Sequence, residues 1–370
     1  MNGLYGSAMC DFLPFNILGF SEKYTLEEIL NTPDNNKIGY FVEVDIKIPK
    51  SLHNYLKDYP PCPENMNIKT EWLSDYQKNI YKINNSKHNE TSKKLILNLF
   101  DKNKYICHYT YLKYIHSLGL EISNLHRVLE FEQSDWMKPY IEMNMNLRMK
   151  SKNKFEENFF KLMNNAVYGK TMENVLQYEN FEIIKDEKKT IKRISKDNFK
   201  HCELIDGMYF IRSSREKVLY SKPCYIGSAV LDISKVKMLN FHYGFMKKYD
   251  NDLLYSDTDS LIYHIKTEDF YKEMHDNKEL FDLAKINIEE FKNIENYKIN
   301  GKMKDETSMK PIIEFVSLCP KVYSYITEEK NEKRNKGINT CVIKELKHDN
   351  YKSVLEDNIN IKKEQFNIHP

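Results

Sequence analysis

The run Tyr255-Ser256-Asp257-Thr258-Asp259-Ser260-Leu261-Ile262-Tyr263 places two carboxylates two positions apart between β-forming side chains. If the flanks are strands, both carboxylates sit at a tight turn where a hard cation can reach them. Their mutual repulsion makes this arrangement costly unless a metal ion or a cationic partner offsets it. The competing reading is a solvated acidic turn. Against it stand the apolar residues on both sides, which bury the base of such a hairpin and fix its tip. A second run, Lys161-Leu162-Met163-Asn164-Asn165-Ala166-Val167-Tyr168-Gly169, carries Lys161, Asn165 and Tyr168 at helical spacing. On one helix face these put a cation, an amide and an aromatic ring together, which suits a triphosphate and a base. The alternative is an ordinary amphipathic helix with Lys161 in solvent and Tyr168 in the core.

The first segment needs strands and the second a helix. Ala229–Lys248 reads as an amphipathic helix feeding directly into Leu253–Ile265, a hairpin with Asp-Thr-Asp at its turn. Residues 136–176 form the longest helical pattern, which we expect to break at Tyr168-Gly169, where glycine can end a helix in a left-handed cap. Upstream, Gly39–Ile48 alternates as a strand, and the Pro-rich stretch Pro49–Pro63 predicts a loop. Residues 74–94 are polar and predict a mobile surface insertion. Tyr109–Leu118 predicts a short helix ended by Gly119, and Leu125–Phe131 a strand. Residues 181–220 alternate short β-like runs with Lys-rich turns. Beyond Gly301 the chain turns basic, with short strands around Ile312–Phe315 and Lys321–Ile326.

A chain of 370 residues, 41% hydrophobic and 30% charged, can bury a large core and divides into two or three subdomains. The formal net charge of +2 makes any nucleic-acid surface a matter of local clustering. Seven widely spaced cysteines without C-x-x-C or Cys/His ligand spacing fit free thiols in a reducing, intracellular compartment. Residues 1–20 lack the basic start of a secretory signal, and no apolar run is long enough to span a membrane.

Taken together, K-x-x-x-N-x-x-Y-G and, about 90 residues later, Y-x-D-T-D-S resemble the fingers and palm motifs of family B DNA polymerases, in the family's order and separation. Asn2-Gly3-Leu4-Tyr5-Gly6-Ser7-Ala8-Met9 resembles the end of the first palm motif, D-x-N-x-L-Y-G/P. Pro320-Lys321-Val322-Tyr323 resembles the K-x-Y motif between palm and thumb, and Lys336-Gly337 a further basic element. The long spacers between motifs resemble the protein-primed branch of phages, adenoviruses and Polinton-type mobile elements. Glu43-Val44-Asp45, Pro60–Glu64 and Trp136–Tyr140 look closest to the Polinton type.

The resemblance implies an α+β right-hand architecture with a palm sheet, helical fingers and a small thumb. Residues 1–20 would hold the end of the first palm motif, 21–135 palm strands with the insertion of the protein-primed branch, 136–176 the fingers, 177–225 a second insertion or palm, 226–300 the palm with its D-T-D hairpin and 301–370 the thumb region. It implies DNA-directed DNA synthesis on primer-template DNA from dNTPs, with two Mg2+ ions for which Mn2+ can substitute, and a terminal protein as primer. Asp259 would be the direct metal ligand with Asp257 in support. Lys161 would neutralise triphosphate charge, Asn165 and Tyr168 would line the nascent base pair, and Arg148 would be either a further phosphate contact or part of a solvated helix face. Tyr5 would be the gate that excludes a 2′-OH. Lys321 and Tyr323, with Lys336 as a weaker match, would hold the primer near its terminus.

In the family an Asp stands three positions before the equivalent of Gly3, a position that here falls immediately before Met1. The expectation is therefore a truncated chain with little or no polymerase activity, in which neither Asp11 nor Asp45 is assumed to replace that carboxylate. Two rival functions follow, a non-catalytic DNA-binding remnant and a two-metal nuclease. The dNTP-binding helix pattern argues against the second.

Overall fold

Strand alternation from Gly39 onward produces the central sheet. The computed structural model describes residues 1–365. Four strands, β1 (Leu13–Ser21), β2 (Ile38–Lys47), β5 (Lys102–His108) and β6 (Glu121–Ser134), form an antiparallel sheet in the order β1-β6-β2-β5. Two shorter strands, β3 (Glu64–Asn67) and β4 (Lys93–Ile96), pair as a separate ribbon between β2 and β5 in the chain. Every second residue of β2 from Tyr40 to Ile46 is buried in one apolar cluster, the period expected of a sheet with one face on a core. On intervening positions Glu43 takes a bidentate pair from Arg127 at 2.7 and 3.1 Å. Asp45 accepts from the Lys104 backbone N–H at 2.8 Å and from Asn124 at 2.9 Å.

Helices α1 (Leu4–Met9) and α2 (Leu26–Asn31) flank β1, while α3 (His53–Leu56) and α4 (Asp75–Ile83) follow β2. Two of these depart from the sequence expectation. The Pro-rich stretch holds a short helical segment from Lys50 to Leu56. The polar stretch expected to be a mobile surface insertion contains α4, a helix not expected there, because Ser74 and Gln77 close a reciprocal capping box at 3.0 and 3.2 Å. Helix α5 (Tyr109–Ser117) ends at Gly119, which adopts φ 95°, as predicted.

The long helical pattern splits into α6 (Lys138–Met149) and α7 (Lys154–Thr171). The break falls at residues 150–153, not at Tyr168-Gly169. Asn153 caps the second helix by accepting from the Glu156 N–H at 2.9 Å, and Gly169 stays helical, so the chain leaves the helix only after Thr171. A module of β7 (Glu179–Ile184), α8 (Glu187–Ile194), β8 (Phe199–Ile205) and β9 (Met208–Ser214) follows, with sheet order β7-β9-β8. The helix in it was hidden among Lys-rich residues, and Asp186 caps it at the Lys189 N–H, 2.8 Å away.

Helix α9 (Cys224–Asn240) unites the molecule. Its first half packs Ile226, Ala229, Val230 and Ile233 against Ala8, Leu13, Phe41 and Phe131, and its last turn joins the β2 and α5 cluster through Leu239. A wider turn, Phe241–Phe245, then leads into a third apolar cluster with Met274, Phe281, Leu283 and Met303. On this cluster rests the hairpin of β10 (Asp250–Asp257) and β11 (Ser260–Lys266), through Leu261, Tyr263 and Ile265. Helix α10 (Phe270–Asp276) leads to the last sheet, β12 (Glu314–Cys319), β13 (Val322–Ile326) and β14 (Asn331–Asn335), backed by α11 (Thr340–Glu345) and α12 (His348–Glu356). The third strand, Asn331–Asn335, carries mostly polar residues and was not anticipated. The last five residues of the segment expected to be thumb lie outside the described ones. No helix among the described residues is long and apolar enough to cross a membrane.

Burial fixes two histidines in the neutral form. His108, at the start of α5, is pushed down to about 3 by burial, and His242 to about 4 by the same cause. The unfolded chain binds protons at both below about pH 6.5, whereas the folded chain does not until these lower values, so their contribution to stability is full above 6.5 and declines as pH falls. The melting temperature should drop from pH 6.5 to 4, and His108→Gln with His242→Gln should reduce the steepness of that decline. An unchanged slope in the double variant would show that other groups control it.

Candidate active site

The β10–β11 register brings Asp257 opposite Ser260, leaving Thr258 and Asp259 as the turn, with Thr258 at φ 57°. The Ser260 hydroxyl donates to the Asp257 carbonyl at 3.0 Å and the Thr258 hydroxyl to Asp257 Oδ1 at 3.2 Å, which tightens the tip. Tyr263 is tied by its hydroxyl to His242 at 2.9 Å, so the strand behind the tip is held by the wider turn that follows α9. The Met1 amine donates to the Asp259 carbonyl oxygen.

A cation meets these carboxylates from the other end of the chain. The turn between β12 and β13 consists of Pro320 and Lys321, and the Lys321 ammonium pairs with Asp257 Oδ2. The Lys321 N–H donates to the Tyr255 hydroxyl at 2.9 Å, and its carbonyl accepts from the Lys336 N–H at 3.1 Å. Tyr255 packs against Tyr323 with ring centroids 4.9 Å apart, and Phe315 lies against both. Asp257, Lys321, Tyr323 and Lys336 therefore form one cluster.

The conformation of Gly3 sets the aromatic part of the site. Gly3 adopts φ 46°, and a Cβ there would lie 2.2 Å from Asn300 Oδ1. Gly301 N–H donates to the Asn2 carbonyl and Asn2 N–H to the Lys302 carbonyl, both at 2.7 Å, so residues 300–302 brace the start of α1. The brace directs Tyr5 to stack on Tyr168 of α7, with centroids 4.1 Å apart and planes 17° from parallel. Burial raises the Tyr5 phenol above its ordinary value, its bond with Tyr168 offsets part of that rise, and the charges of Asp259 and Asp257 add to it. Burial likewise pushes Tyr168 up to about 12.

Along the same helix Lys161 and Asn165 are exposed and make no ion pair or side-chain hydrogen bond among the described residues. Their neighbour Asn164 is the buried amide, donating to the Ile141 carbonyl at 3.3 Å and joining α6 to α7. Arg148 is not on a solvated face. Its guanidinium pairs with Glu157 at 3.4 Å, and Glu157 also takes Lys298 at 2.9 Å. Asp11 pairs with Lys237 at 2.9 Å. Asp45 is held down at about 2 by the Lys104 N–H, Asn124 and His126. Both are thus engaged by partners of their own.

Sequence reasoning gave no role to Tyr255, although it lay inside the motif, nor to Asn300, Glu157 or Lys298. The Asn300-Gly301 pair was a readable turn signal, but its contact with Gly3 spans almost the whole chain.

The donor chemistry suits a hard divalent cation. Oxygen ligands from Asp259, with water and phosphate oxygens completing the shell, are what a magnesium-class ion takes. Among the described residues no group of three or more His, Cys, Asp or Glu side chains gathers at metal-holding distance.

The antiparallel sheet, the helices packed on it and the acidic hairpin facing the Pro320-Lys321 turn make up an α+β fold of the right-hand polymerase class. The family profile "DNA polymerase type B, organellar and viral" matches residues 1–242, and the chain belongs to that family. Among solved structures it is similar to Phi29 DNA polymerase in an orthorhombic crystal form, with TM-score 0.55 and 14% identity over 95% of this chain and 52% of that one. It is also similar to Phi29 DNA polymerase complexed with primer-template DNA and incoming nucleotide, at TM-score 0.54, 14% identity and the same coverage. The post-translocation binary complex matches at TM-score 0.51 and 15% identity. The chain thus spans about half the length of the polymerases it matches. No curated protein sequence matches it at a significant level.

Gly3→Ala should destabilise the start of α1 by about 1–2 kcal/mol from the left-handed backbone alone, with the Asn300 clash added. Denaturant midpoints of Gly3→Ala and of Gly3→Ala with Asn300→Ala should show partial recovery in the second. Full recovery would mean that the backbone conformation carries no cost.

Proposed function

We propose that this chain carries the polymerisation site of a DNA-directed DNA polymerase, extending the primer strand of primer-template DNA with dNTPs. The observation that carries the proposal is the Tyr5–Tyr168 stack at a chain start whose Met1 amine bonds the hairpin tip, where the Asp259 carboxylate makes no hydrogen bond or ion pair within bonding distance among the described residues. Adding a nucleotide requires the primer 3′-OH to attack the α-phosphate of the dNTP, forming one P–O bond as another breaks and pyrophosphate leaves.

Each residue then has a task. Lys161, exposed one helix face along from Tyr168, supplies positive charge to the triphosphate, and Asn165 lies on the same face toward the base pair. Tyr5 forms the floor under the sugar, where a 2′-OH would collide with its ring. Lys321 and Lys336 contact primer phosphates without reading sequence, and Tyr323 packs behind them. Arg148 can take a phosphate only if Glu157 releases it. A divalent ion held by Asp259, Mg2+ or in its place Mn2+, would favour the ionised primer hydroxyl and offset phosphate charge. Asp257 supports that residue at the tip.

The same reading places the chain in the protein-primed branch, with a terminal protein as the primer and a viral or mobile element as the source. Chemistry with two ions needs a second bridging carboxylate. The Met1 amine sits on the Asp259 carbonyl, so a residue joined to it lies at the hairpin tip. The engagement of Asp257 by Lys321 favours a second reading, a DNA-binding protein of this family without synthesis.

Primer extension separates these readings. An aspartate added ahead of Met1 should raise synthesis by about a hundredfold or more over residues 1–370, since a metal-positioning group contributes several kcal/mol to the transition state. In that extended chain Asp259→Ala should abolish synthesis while duplex binding persists, and Tyr5→Val should admit ribonucleotides. DNA binding without extension by the extended chain would favour the second reading, and substrate degradation would identify a nuclease.

A further inference from the structure

Asp257 and Asp259 lie two residues apart yet differ in what they touch. Both oxygens of Asp257 are engaged, Oδ1 by the Thr258 hydroxyl at 3.2 Å and Oδ2 by the Lys321 ammonium. The Asp259 carboxylate accepts no hydrogen bond and makes no ion pair within bonding distance among the described residues, and the nearby Met1 ammonium bonds its backbone carbonyl instead.

Lys321 is fixed more closely than a surface lysine needs to be. It occupies the left-handed region at φ 65°, a conformation that costs free energy in a residue with a Cβ. Its N–H is held by the Tyr255 hydroxyl at 2.9 Å and its carbonyl by the Lys336 N–H at 3.1 Å. The ammonium pair with Asp257 is partly exposed on both sides, 47% for the lysine side chain and 30% for the aspartate, so it contributes little to stability. Its consequence is geometric. A lysine side chain has four rotatable bonds, and a tether at its end removes most of that freedom before DNA arrives. An ammonium has three donors, so a bond to Asp257 leaves two for phosphate oxygens.

We propose that Asp257 is a positioning residue that acts through Lys321, holding the ammonium where a primer phosphate meets it, while Asp259 alone is the hairpin's cation ligand. The proposal rests on the reading of Lys321 as a primer-phosphate contact. It divides the labour of the D-T-D turn: one carboxylate organises the grip on DNA across the palm–thumb junction, and the other faces the reaction.

The test measures binding of a primer-template duplex by fluorescence anisotropy in EDTA, where metal ligation cannot contribute. The variants are Asp257→Asn, Lys321→Met, the two combined, and Asp257→Glu. Each single neutral variant should weaken binding by about threefold, as expected for a partly exposed ion pair. The double variant should lose no more than either single one, and Asp257→Glu, which keeps the carboxylate, should restore most of the affinity. In a separate Mn2+ titration followed by electron paramagnetic resonance, Asp259→Asn should lose about tenfold or more in ion affinity and Asp257→Asn clearly less. If Lys321→Met leaves duplex affinity unchanged, the primer-contact reading fails and takes this proposal with it. If Lys321→Met weakens binding but Asp257→Asn does not, or if the two losses multiply, Lys321 holds DNA without Asp257 and the proposal alone is overturned. Equal loss of Mn2+ affinity in the two aspartate variants would also overturn it.

Discussion

Two carboxylates crowded at a two-residue turn repel each other, and the way that repulsion is met organises the rest of the molecule. The hairpin tip is kept in place by what lies on either side of it. Behind it, Leu261, Tyr263 and Ile265 sink into the apolar cluster at the end of α9. In front of it, the β12–β13 turn brings the Lys321 ammonium onto Asp257. The burial fixes position and the cation offsets charge. The ion pair is thus a junction between two sheets that share no strand, the β10–β11 hairpin and the β12–β13–β14 sheet.

A second constraint, the left-handed Gly3, links the opposite side of the site to the same frame. Gly301 and Lys302 bond the carbonyl and the N–H of Asn2, and the resulting path of α1 sets Tyr5 on Tyr168. Helix α7, which carries Lys161 and Asn165, is thereby registered against α1, and α1 packs on α9. Since α9 also leads to the hairpin, the aromatic stack and the carboxylates are referred to one buried helix. That common reference gives a site assembled from residues 1–9, 154–171, 224–266 and 314–337 a single geometry.

What could be read from the sequence was what local chemistry dictates. The D-T-D turn between β-formers, the strand at Gly39–Ile48 and the glycine-terminated helix at Tyr109 each depend on neighbours a few residues away, and each stands where expected. Errors arose where capping outweighed composition. Asn153 and Ser74 begin helices in stretches that looked like a continuation or a loop, and Gly169 continues α7 although it looked like a stop. The pairing of Asp257 with Lys321, the contact between Gly3 and Asn300 and the sharing of Glu157 by Arg148 and Lys298 join residues 9 to nearly 300 positions apart. Most of these couplings have no local signature. The family motifs located Lys321 and Gly3 individually, and only the fold shows which partner each one meets.

The central claim is that the cation site of this chain lies at the tip of the β10–β11 hairpin. Replacing magnesium with Fe2+ and generating hydroxyl radicals in place would cut the backbone nearest the bound ion, and mass spectrometry would locate the cuts. The account predicts cleavage concentrated around Asp257–Ser260, with weaker cuts at Met1–Asn2 and at Pro320–Lys321, all suppressed in the Asp259→Ala variant. Cuts centred on Asp45 or Asp11, or a pattern unchanged by Asp259→Ala, would contradict it.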